Sequence, residues 1–352
     1  MSNMAIRVLH LLRSDRFSGA ENVVCQIMKA FSQDAGIDMV YCSPEGKIRR
    51  ALQERALPFL PLEQFTPAAV RKAAKQYDAT MIHAHDAAAA VTAALATKGT
   101  LPILAHVHAN HENMRVVSAK SLLFRYCAKR FFHIFWVSDS SLCQYRFARS
   151  VQEKSEVLYN VIDLDDLHRK ITLDPEEYAF DIVYVGRLSY QKNPCRLMEV
   201  LANVKTQLPH VRMAVVGDGE LGKEVLCKAK ELQLTENVTF MGFMKNPLKL
   251  MSMSKVMLMT SRYEGLPICA LEAMGLGIPI VSTPTDGLQE LVDDGINGFL
   301  RDQNDALSDC LVTLIREDAI RNQFSDNFRQ KALQWNDLTI FRETLRKQYE
   351  SI

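Results

Sequence analysis

The stretch SRYEGLPICALEAMGLGIPIVST (residues 261–283) contains the end of a strand, a glycine turn, a helix and a second strand. The apolar run VMLMTS (256–261) leads into it and predicts a buried strand, and IPIVST (278–283) predicts the next one. Pro267 suits the first turn of the intervening helix, where an amide N–H would have no partner within the helix. Strands that are apolar throughout indicate a parallel sheet that is covered on both faces.

The start of this predicted helix is a candidate anion site. Amide N–H groups at a helix N-terminus are unpaired and carry a partial positive charge, and Gly265 allows a ligand to approach the main chain closely. Glu264 and Glu272 flank the turn, about 12 Å apart if the path is helical. That spacing suits two sugars joined through a diphosphate, because carboxylates accept hydrogen bonds from hydroxyls. Their alternative roles are a helix-stabilising charge and a solvated helix residue. The amides expected to bind the anion are those of Gly265, Leu266, Ile268 and Cys269.

Short apolar runs alternate with amphipathic stretches in both halves of the chain. The predicted strands cover residues 6–12, 37–42, 79–85, 102–108, 133–138 and 156–160, then 181–187, 212–219, 238–243, 256–261 and 278–283. This alternation predicts an α/β fold with two doubly wound domains, whose ligands bind at the carboxyl ends of the strands. The segment that follows residue 162 has no long apolar run and contains the turn-forming Asp174-Pro175. The predicted domains are therefore 1–162 and 163–335, followed by an amphipathic segment at about 336–352.

Composition excludes several classes of protein. Of the 352 residues 48% are hydrophobic and 24% charged, which excludes a disordered chain and a collagen-like fibre. No apolar run reaches the roughly 20 residues of a membrane-spanning helix. The eight Cys form no C-x-x-C pair and indicate reduced thiols, so we expect a cytoplasmic protein. The first 162 residues carry 20 Lys and Arg against 13 Asp and Glu, an excess too dispersed to favour a nucleic-acid partner.

Histidines form a second candidate site. The two His-x-His patterns each place a pair of rings on one face of a strand, which is typical of metal sites. Asp86 and Glu112 lie nearby in the sequence and could complete such a site, so a metal hydrolase is one interpretation. Rings that are buried for structural reasons at the strand ends are the other. The clustered residues are His83, His85, His106, His108 and His111.

Six motifs, in the same order along the chain, resemble those of the retaining glycosyltransferases of family 4, which have the GT-B architecture. The most specific is Glu264-(x7)-Glu272, which resembles the family's E-x7-E signature. The others are Ser18-Gly19-Ala20-Glu21, Asn160-Val161-Ile162-Asp163, Gly186-Arg187-Leu188 with Lys192, Gly217-Asp218-Gly219, and Asp286-Gly287 with Gly295-Ile296-Asn297-Gly298. Val161 stands where the family usually has Gly, so this turn has to avoid a positive φ. Ser18-Gly19 replaces the commoner Gly-Gly.

The resemblance covers nearly the whole chain and implies a function. Two Rossmann-like domains would face each other across a cleft, with the helix at about 336–352 packed back on the first. The second domain would bind a nucleotide sugar, preferably a UDP-sugar, and the first an acceptor. The implied reaction is retaining, metal-independent transfer of a hexose or N-acetylhexosamine to a hydroxyl of a glycan or lipid-linked acceptor, in bacterial cell-surface polysaccharide or glycolipid biosynthesis. No cofactor is expected.

The resemblance also implies roles for individual residues. Glu272 would hold the ribose hydroxyls and Glu264 the donor sugar, and Arg187 and Lys192 would stabilise the departing diphosphate without a metal ion. His108, or His106 in its place, would hydrogen-bond the donor sugar. The expected catalytic residues are His108, Arg187, Lys192 and Glu264. The expected donor-binding residues are Gly19, Gly186, Gly217, Gly242, Phe243, Gly265, Leu266, Pro267, Ile268 and Glu272. The expected acceptor-side residues are Ser18, Glu21, His85 and His106.

Residues 114–132 mix basic side chains with Leu and Phe. They predict a basic amphipathic helix that docks on an anionic membrane surface, with Phe131 or Phe132 inserted among the lipids. This would attach the protein peripherally to the inner face of the cell membrane. An ordinary core-facing helix with a solvated basic side is the alternative.

Three other functions stay open at this point. A nucleotide-sugar epimerase of similar fold would form its product without an acceptor. A metal hydrolase would use the clustered histidines. A non-catalytic protein would bind the nucleotide sugar without turnover.

Overall fold

The structure, a computed structural model, describes residues 5–109 and 111–352. The chain divides into two units, Met1–Asn160 with Thr339–Ile352, and Val161–Leu338. The first unit ends two residues before the boundary predicted after residue 162. The C-terminal segment belongs to the first unit.

Seven strands form the sheet of the first unit. They are β1 (Ile6–Leu11), β2 (Ile37–Pro44), β3 (Phe59–Leu62), β4 (Met81–His85), β5 (Ile103–Val107), β6 (His133–Trp136) and β7 (Ser155–Val157). All pair in parallel, in the order β3-β2-β1-β4-β5-β6-β7. The order reverses between β1 and β4, and ligands of open α/β sheets bind at the carboxyl ends of the strands beside such a reversal.

Helices cover this sheet. They are α1 (Gly19–Ala30), α2 (Ile48–Gln53), α3 (Pro67–Gln76), α4 (Ala87–Thr97), α5 (Glu112–Arg115), α6 (Ala119–Ala128) and α7 (Asp139–Cys143). The last helix of the chain, α16 (Leu338–Glu350), also packs here: Arg342 and Arg346 form ion pairs with Asp34. The hydroxyl of Tyr349 lies 2.8 Å from Nδ1 of His83.

The second unit contains six strands and eight helices within its described residues. The strands are β8 (Ile182–Val185), β9 (Met213–Val216), β10 (Val238–Gly242), β11 (Val256–Met259), β12 (Ile280–Ser282) and β13 (Gly298–Leu300). The helices are α8 (Leu164–Ile171), α9 (Pro194–Gln207), α10 (Gly222–Glu231), α11 (Leu248–Ser252), α12 (Ile268–Leu276), α13 (Asp286–Leu291), α14 (Asn304–Arg316) and α15 (Asp318–Trp335). The parallel order β10-β9-β8-β11-β12-β13 reverses between β8 and β11. The predicted pair of doubly wound α/β sheets is confirmed.

Central strands are buried on both faces, as their apolar sequences predict. All four residues of β11 are at most 1% exposed. Two strands absent from the sequence analysis, β3 and β13, lie at or near sheet edges and are partly exposed. Pro61 within β3 is tolerated because an edge strand has one side without ladder partners.

The linker departs from the family pattern without strain. Val161 is buried and is absent from the residues with positive φ, so Gly is not required there. The next element starts with a side-chain cap, since the amide of Asp166 donates to Oδ1 of Asp163 at 2.9 Å. Asp163 is therefore the side-chain cap of the helix that begins at Leu164.

The segment 114–132 is not one amphipathic helix. It breaks between α5 and α6, where Val116 is extended and Ser118 caps α6 through a capping box with Ser121. Phe131 is 2% exposed and belongs to the core, so the prediction that it inserts into lipid is wrong. The side chains exposed by α6, by the turn before it and by its C-cap residue do not include Phe131. Among them are the apolar Val116, Val117, Leu122, Leu123 and Tyr126 and the basic Lys120, Arg125 and Lys129. We call these eight side chains the α6 patch.

Within the described ranges, no helix combines the length and apolar character that crossing a membrane requires.

Candidate functional site

Several polar side chains of the second unit meet at the loop between β11 and α12. Glu264 is 3% exposed, and its carboxylate accepts hydrogen bonds from three side chains. Nζ of Lys192 and Oγ of Ser261 each lie 2.5 Å from Oε1, and Nε2 of Gln191 lies 3.3 Å from Oε2. The loops that follow β8 and β11 are therefore joined through one carboxylate.

Lys192 and Glu264 form a largely buried ion pair, with 15% and 4% of their side chains exposed. Burial acts to lower the pKa of Lys192, but the Glu264 carboxylate outweighs it and the pKa lies above the ordinary value. Lys192 is therefore charged at neutral pH. An isolated ammonium or carboxylate would be costly at this depth, so each depends on the other.

Among residues 5–109 and 111–352, three amides at the start of α12 find no hydrogen-bond acceptor in another residue: those of Gly265, Ile268 and Cys269. Pro267 is the cap residue of α12, one position before the first helical turn in which it was predicted. Leu266 has a further contact within the described part of the chain, so its amide is not counted with these three. Free amides at a helix N-terminus are suited to bind an anion.

A second turn holds this loop in place. Oδ2 of Asp286 accepts a hydrogen bond from the amide of Glu264 at 3.1 Å, and the amide of Gly287 donates to the carbonyl of Gly265 at 2.9 Å. A Cβ at position 287 would lie 2.0 Å from that carbonyl oxygen, so only glycine fits. Asp286 itself has a φ of 25°, a strained value for a residue with a side chain. The Asp286-Gly287 turn thus fixes the peptide group before Glu264 and the peptide group after Gly265.

Glu272, one turn further along α12, has a different environment. Its side chain is half-buried, and no donor within the described part of the chain hydrogen-bonds to its carboxylate. Burial raises the pKa of Glu272 to about 7, and Lys170 opposes this shift. A carboxylate without donors is suited to accept hydrogen bonds from hydroxyls of a ligand.

The glycines after β8 and β9 were predicted to approach the donor. The amide of Gly186 instead donates to Val216 at 3.0 Å, and that of Gly217 donates to Gly242 at 2.8 Å. A Cβ on Gly217 would lie 2.0 Å from the carbonyl oxygen of Gly186. Close packing between neighbouring loops therefore accounts for these glycines, and their amides are already used.

Two side chains near these loops are open to a ligand. Phe243 is 63% exposed beside Gly242, as expected of a group that contacts a base. Arg187 is exposed and forms no ion pair with any described residue. The guanidinium of Arg187, five residues before Lys192, is therefore available to bind an anionic ligand.

In the first unit, Ser18, Gly19 and Glu21 lie at the start of α1. Ser18 precedes the first helical residue, Gly19, and its hydroxyl donates to the carboxylate of Glu21, which is 4% exposed. Because the order reverses between β1 and β4, this turn lies at the edge where β4 ends.

Strands β1, β4 and β5 bring five imidazoles together. His85 pairs with His106 and His10 pairs with His83 in strand register, and neighbouring ring centroids lie 4.2–5.5 Å apart. Burial lowers the pKa of every ring, to about 3 for His10 and His108, so all are neutral at physiological pH. His111 is exposed and does not belong to the cluster. His10 was not identified from the sequence, since only strand register shows that it lies beside His83. The five are His10, His83, His85, His106 and His108.

Asp86 follows β4 directly and is strained. It has a φ of 79°, its amide donates to the carbonyl of His106 at 2.7 Å, and its Oδ1 lies 3.4 Å from the amide of His108. Burial, helped by repulsion from Glu21, raises the pKa of Asp86 to about 7. Strained residues with shifted pKa values are typical of functional sites.

Two groups of three histidines are close enough to share a metal ion. These are His10, His83 and His85, and His85, His106 and His108, with ligand atoms within 4.8 Å of one another. Both groups require His85. Its Nε2 already lies 3.0 Å from His10 Nδ1, and its Nδ1 lies 2.9 Å from His108 Nε2. A metal on either group would have to replace one of these hydrogen bonds.

Sequence families identify the class of protein. Residues 17–166 match the profile described as Glycosyltransferase Family 4, and residues 166–331 match the profile described as Glycosyl transferases group 1. Together they cover both units. The chain belongs to the family 4 glycosyltransferases with the GT-B architecture, which confirms the resemblance found in the sequence.

Individual relatives agree with this assignment. The chain is 30% identical over 197 residues to N-acetylgalactosamine-N,N'-diacetylbacillosaminyl-diphospho-undecaprenol 4-alpha-N-acetylgalactosaminyltransferase of Campylobacter jejuni, covering 55% of this chain and 53% of that protein. It is 29% identical to UDP-Gal:alpha-D-GlcNAc-diphosphoundecaprenol alpha-1,3-galactosyltransferase of Escherichia coli, covering 51% and 49%. The match thus spans about half the length of these relatives.

Solved structures share the fold over almost the whole chain. Anabaena Alr3699/HepE, crystallised with UDP and glucose, superposes with a TM-score of 0.85 at 23% identity and covers 99% of this chain and 100% of that one. At this identity the similarity establishes the fold alone.

The Lys192–Glu264 pair can be tested by a double-mutant cycle. We expect Lys192→Met and Glu264→Gln each to lower the free energy of unfolding by about 3 kcal/mol, because each leaves one buried charge unpaired. The double variant should recover much of that loss. Urea unfolding is the measurement, and Lys249→Met, which breaks a pair with the exposed Glu177, is the control with an expected loss below about 1 kcal/mol. Additive losses would contradict the pairing.

The pH dependence of stability tests the environment of Glu272. Since its folded pKa is raised above the unfolded one, its contribution to stability is full below about pH 4.5 and is lost as the pH rises through 7. Glu272→Gln should therefore match the wild type near pH 4.5 and exceed its free energy of unfolding by about 2 kcal/mol at pH 8. The exposed Glu220→Gln is the control. Equal stability of the Glu272 variant and wild type at pH 8 would contradict a raised pKa.

Proposed function

We propose that the protein is a retaining, metal-independent glycosyltransferase that moves a hexose or N-acetylhexosamine from a UDP-sugar to a hydroxyl of a glycan or lipid-linked acceptor. The observation that carries the proposal is the start of α12, with three free amides, a carboxylate on each side and a cationic loop next to it. Family membership and the UDP complexes of a structural neighbour support it. The names of the relatives support a role in cell-surface polysaccharide or glycolipid biosynthesis.

Each part of the second unit has a place in donor binding. The amides of Gly265 and Ile268 and the guanidinium of Arg187 bind the diphosphate, which carries at least two negative charges. The free carboxylate of Glu272 accepts hydrogen bonds from the ribose hydroxyls, and Phe243 lies under the base. Lys192 and Glu264 act as a pair, the lysine toward the phosphate and the carboxylate toward the donor sugar.

In the reaction the bond from C1 of the sugar to the diphosphate oxygen breaks, and a bond from the acceptor oxygen to C1 forms on the same face. The acceptor's proton passes to the departing diphosphate oxygen, so no protein carboxylate is needed as a base. Arg187, Lys192 and the helix amides stabilise the charge that develops on the diphosphate, the role that a divalent cation has in metal-dependent transfer. His108 hydrogen-bonds a sugar hydroxyl.

Donor binding and turnover test this function together. We expect UDP to bind the purified protein, and Glu272→Ala to weaken that binding by about 1–3 kcal/mol through loss of a charged hydrogen-bond acceptor. Lys170→Ala, which removes the cation near Glu272 but no acceptor, is the matched control. Titration calorimetry with UDP is the measurement, and unchanged affinity in the Glu272 variant would contradict the ribose assignment.

Turnover is assayed with a panel of UDP-sugars in excess EDTA and followed by proton NMR. Slow hydrolysis that first releases the α-anomer from an α-linked donor supports a retaining mechanism without a metal. Conversion of one nucleotide sugar into its epimer would favour the epimerase instead. Activity that EDTA abolishes and zinc restores would favour a metal enzyme built on the histidine cluster.

We further propose that the α6 patch holds the protein at an anionic membrane surface, where a lipid-linked acceptor resides. The patch combines three exposed basic side chains with five exposed apolar ones on one short helix and the turn before it. Each cation near an anionic surface contributes about 1 kcal/mol, within a Debye length. The apolar side chains add a contribution that salt does not screen.

Sedimentation with liposomes tests membrane docking. Wild-type protein should bind anionic vesicles at low salt and bind weakly at high salt, and Lys120, Arg125 and Lys129 replaced together by Glu should abolish the preference for anionic lipid. A triple variant of Lys29, Lys72 and Lys75, which are exposed on the same unit, is the control for net charge. Leu122→Ala with Leu123→Ala should remove the salt-resistant part. Wild-type protein that ignores anionic vesicles at low salt would contradict docking and favour a soluble acceptor.

A further inference from the structure

Three of the clustered histidines form a continuous hydrogen-bonded chain that ends on a methionine. Nε2 of His108 lies 2.9 Å from Nδ1 of His85, and Nε2 of His85 lies 3.0 Å from Nδ1 of His10. Nε2 of His10 lies 3.4 Å from the sulfur of Met39, which is 7% exposed on β2. Every ring nitrogen of His10 and His85 has one partner.

The direction of this chain follows from the chemistry of its last member. A neutral imidazole has one N–H donor and one acceptor nitrogen, and a thioether sulfur can only accept. His10 must therefore carry its proton on Nε2, facing Met39, which leaves Nδ1 as an acceptor for His85. His85 then carries its proton on Nε2 and accepts at Nδ1, so His108 must donate from Nε2.

The remaining atom is Nδ1 of His108. It is buried, and it has no hydrogen-bond partner among residues 5–109 and 111–352. With the proton on Nε2, this nitrogen presents a lone pair at the carboxyl end of β5. It can accept a hydrogen bond from a hydroxyl, and it cannot donate one to a phosphate oxygen.

We propose that Met39, acting through His10 and His85, fixes the tautomer of His108 so that Nδ1 accepts a hydrogen bond from a sugar hydroxyl. Met39, His10 and His85 are positioning residues in this arrangement, and His108 alone contacts substrate. The identity of the hydroxyl rests on the proposed function. The tautomers do not, because they follow from contacts inside the first unit.

Two neighbouring rings complete the cluster without interrupting the chain. His83 uses Nδ1 for the hydroxyl of Tyr349, and His106 stacks on His108 with ring centroids 4.3 Å apart. Burial keeps all five rings neutral, and a protonated ring anywhere in the chain would break its single direction. The hydrogen-bonded series of rings also explains the position of His85 better than a metal site does, because both ring nitrogens of His85 already have hydrogen-bond partners.

Nitrogen-15 NMR of histidine-labelled full-length protein tests the proposal directly. Two-bond N–H correlations distinguish the two neutral tautomers of each ring, and His10→Gln, His85→Gln and His108→Gln assign the signals. We expect His10, His85 and His108 all in the Nε2–H form. A His108 ring protonated on Nδ1 in the wild type would overturn the proposal without any variant.

A substitution at Met39 tests whether its sulfur fixes the tautomers of the three histidines. Met39→Leu keeps the volume but removes the acceptor, so we expect His108 to become a mixture of tautomers. The turnover of UDP-sugar should fall two- to tenfold, with the affinity for UDP unchanged. Met81→Leu is the matched control, since Met81 is also buried, on β4, and forms no hydrogen bond with a ring nitrogen of the described histidines. A His108 tautomer that does not change in Met39→Leu would overturn the role of the sulfur.

Two further outcomes separate this inference from its alternatives. Zinc that binds at one ion per chain and shifts both His85 nitrogens would replace the hydrogen-bonded chain by a metal site and overturn the proposal. Suppose instead that all three rings carry the proton on Nε2 in a protein that binds UDP but turns over no donor. That result would support the hydrogen-bonded series of histidines and would contradict only the proposed function.

Discussion

Parallel strand pairing is the constraint on which both candidate sites depend. When every strand runs in one direction, all the carboxyl ends meet at one edge, and the loops diverge where the strand order reverses. In the first unit the reversal lies between β1 and β4, and this brings the start of α1 next to the histidine strands. In the second it lies between β8 and β11, and this lets Lys192 reach Glu264. Each site therefore joins segments that are about 70 residues apart in sequence.

The two units satisfy their buried polar groups in different ways. The first buries neutral imidazoles, so that no charge has to be desolvated, and in His10, His85 and His108 donors and acceptors alternate along one series of hydrogen bonds. The second buries an ammonium and a carboxylate, which are stable there only as a pair. This difference matches the ligands proposed for them. Hydroxyl-bearing sugars need directed hydrogen bonds, whereas a diphosphate needs fixed positive charge and free amides.

The sequence predicted the elements whose patterns are strong and local. The two doubly wound sheets and the turn at Gly265 follow from periodicity and from single-residue preferences. It missed β3 because Pro61 argues against a strand, and it missed β13 because three residues are too few to show a pattern. It also misread 114–132 as one helix, since the capping box at Ser118 depends on a serine three residues later rather than on glycine or proline.

The contacts of the sites were harder to predict than their residues. Strand register decides that His10 lies beside His83, and sheet order decides that the Gly186 and Gly217 amides are used by neighbouring loops. In the second unit, the Lys192–Glu264 ion pair bears on how the proposed site would distinguish a UDP-sugar from the product UDP. Under the proposed function, bare UDP would gain less from Lys192 than from Arg187 and the free amides, because Glu264 already neutralises this lysine. In the proposed reaction a UDP-sugar adds hydroxyls that would donate hydrogen bonds to the Glu264 carboxylate, so both members of the pair would be engaged only while the sugar is attached. Loss of those hydrogen bonds on transfer weakens the hold on the product, which favours its release.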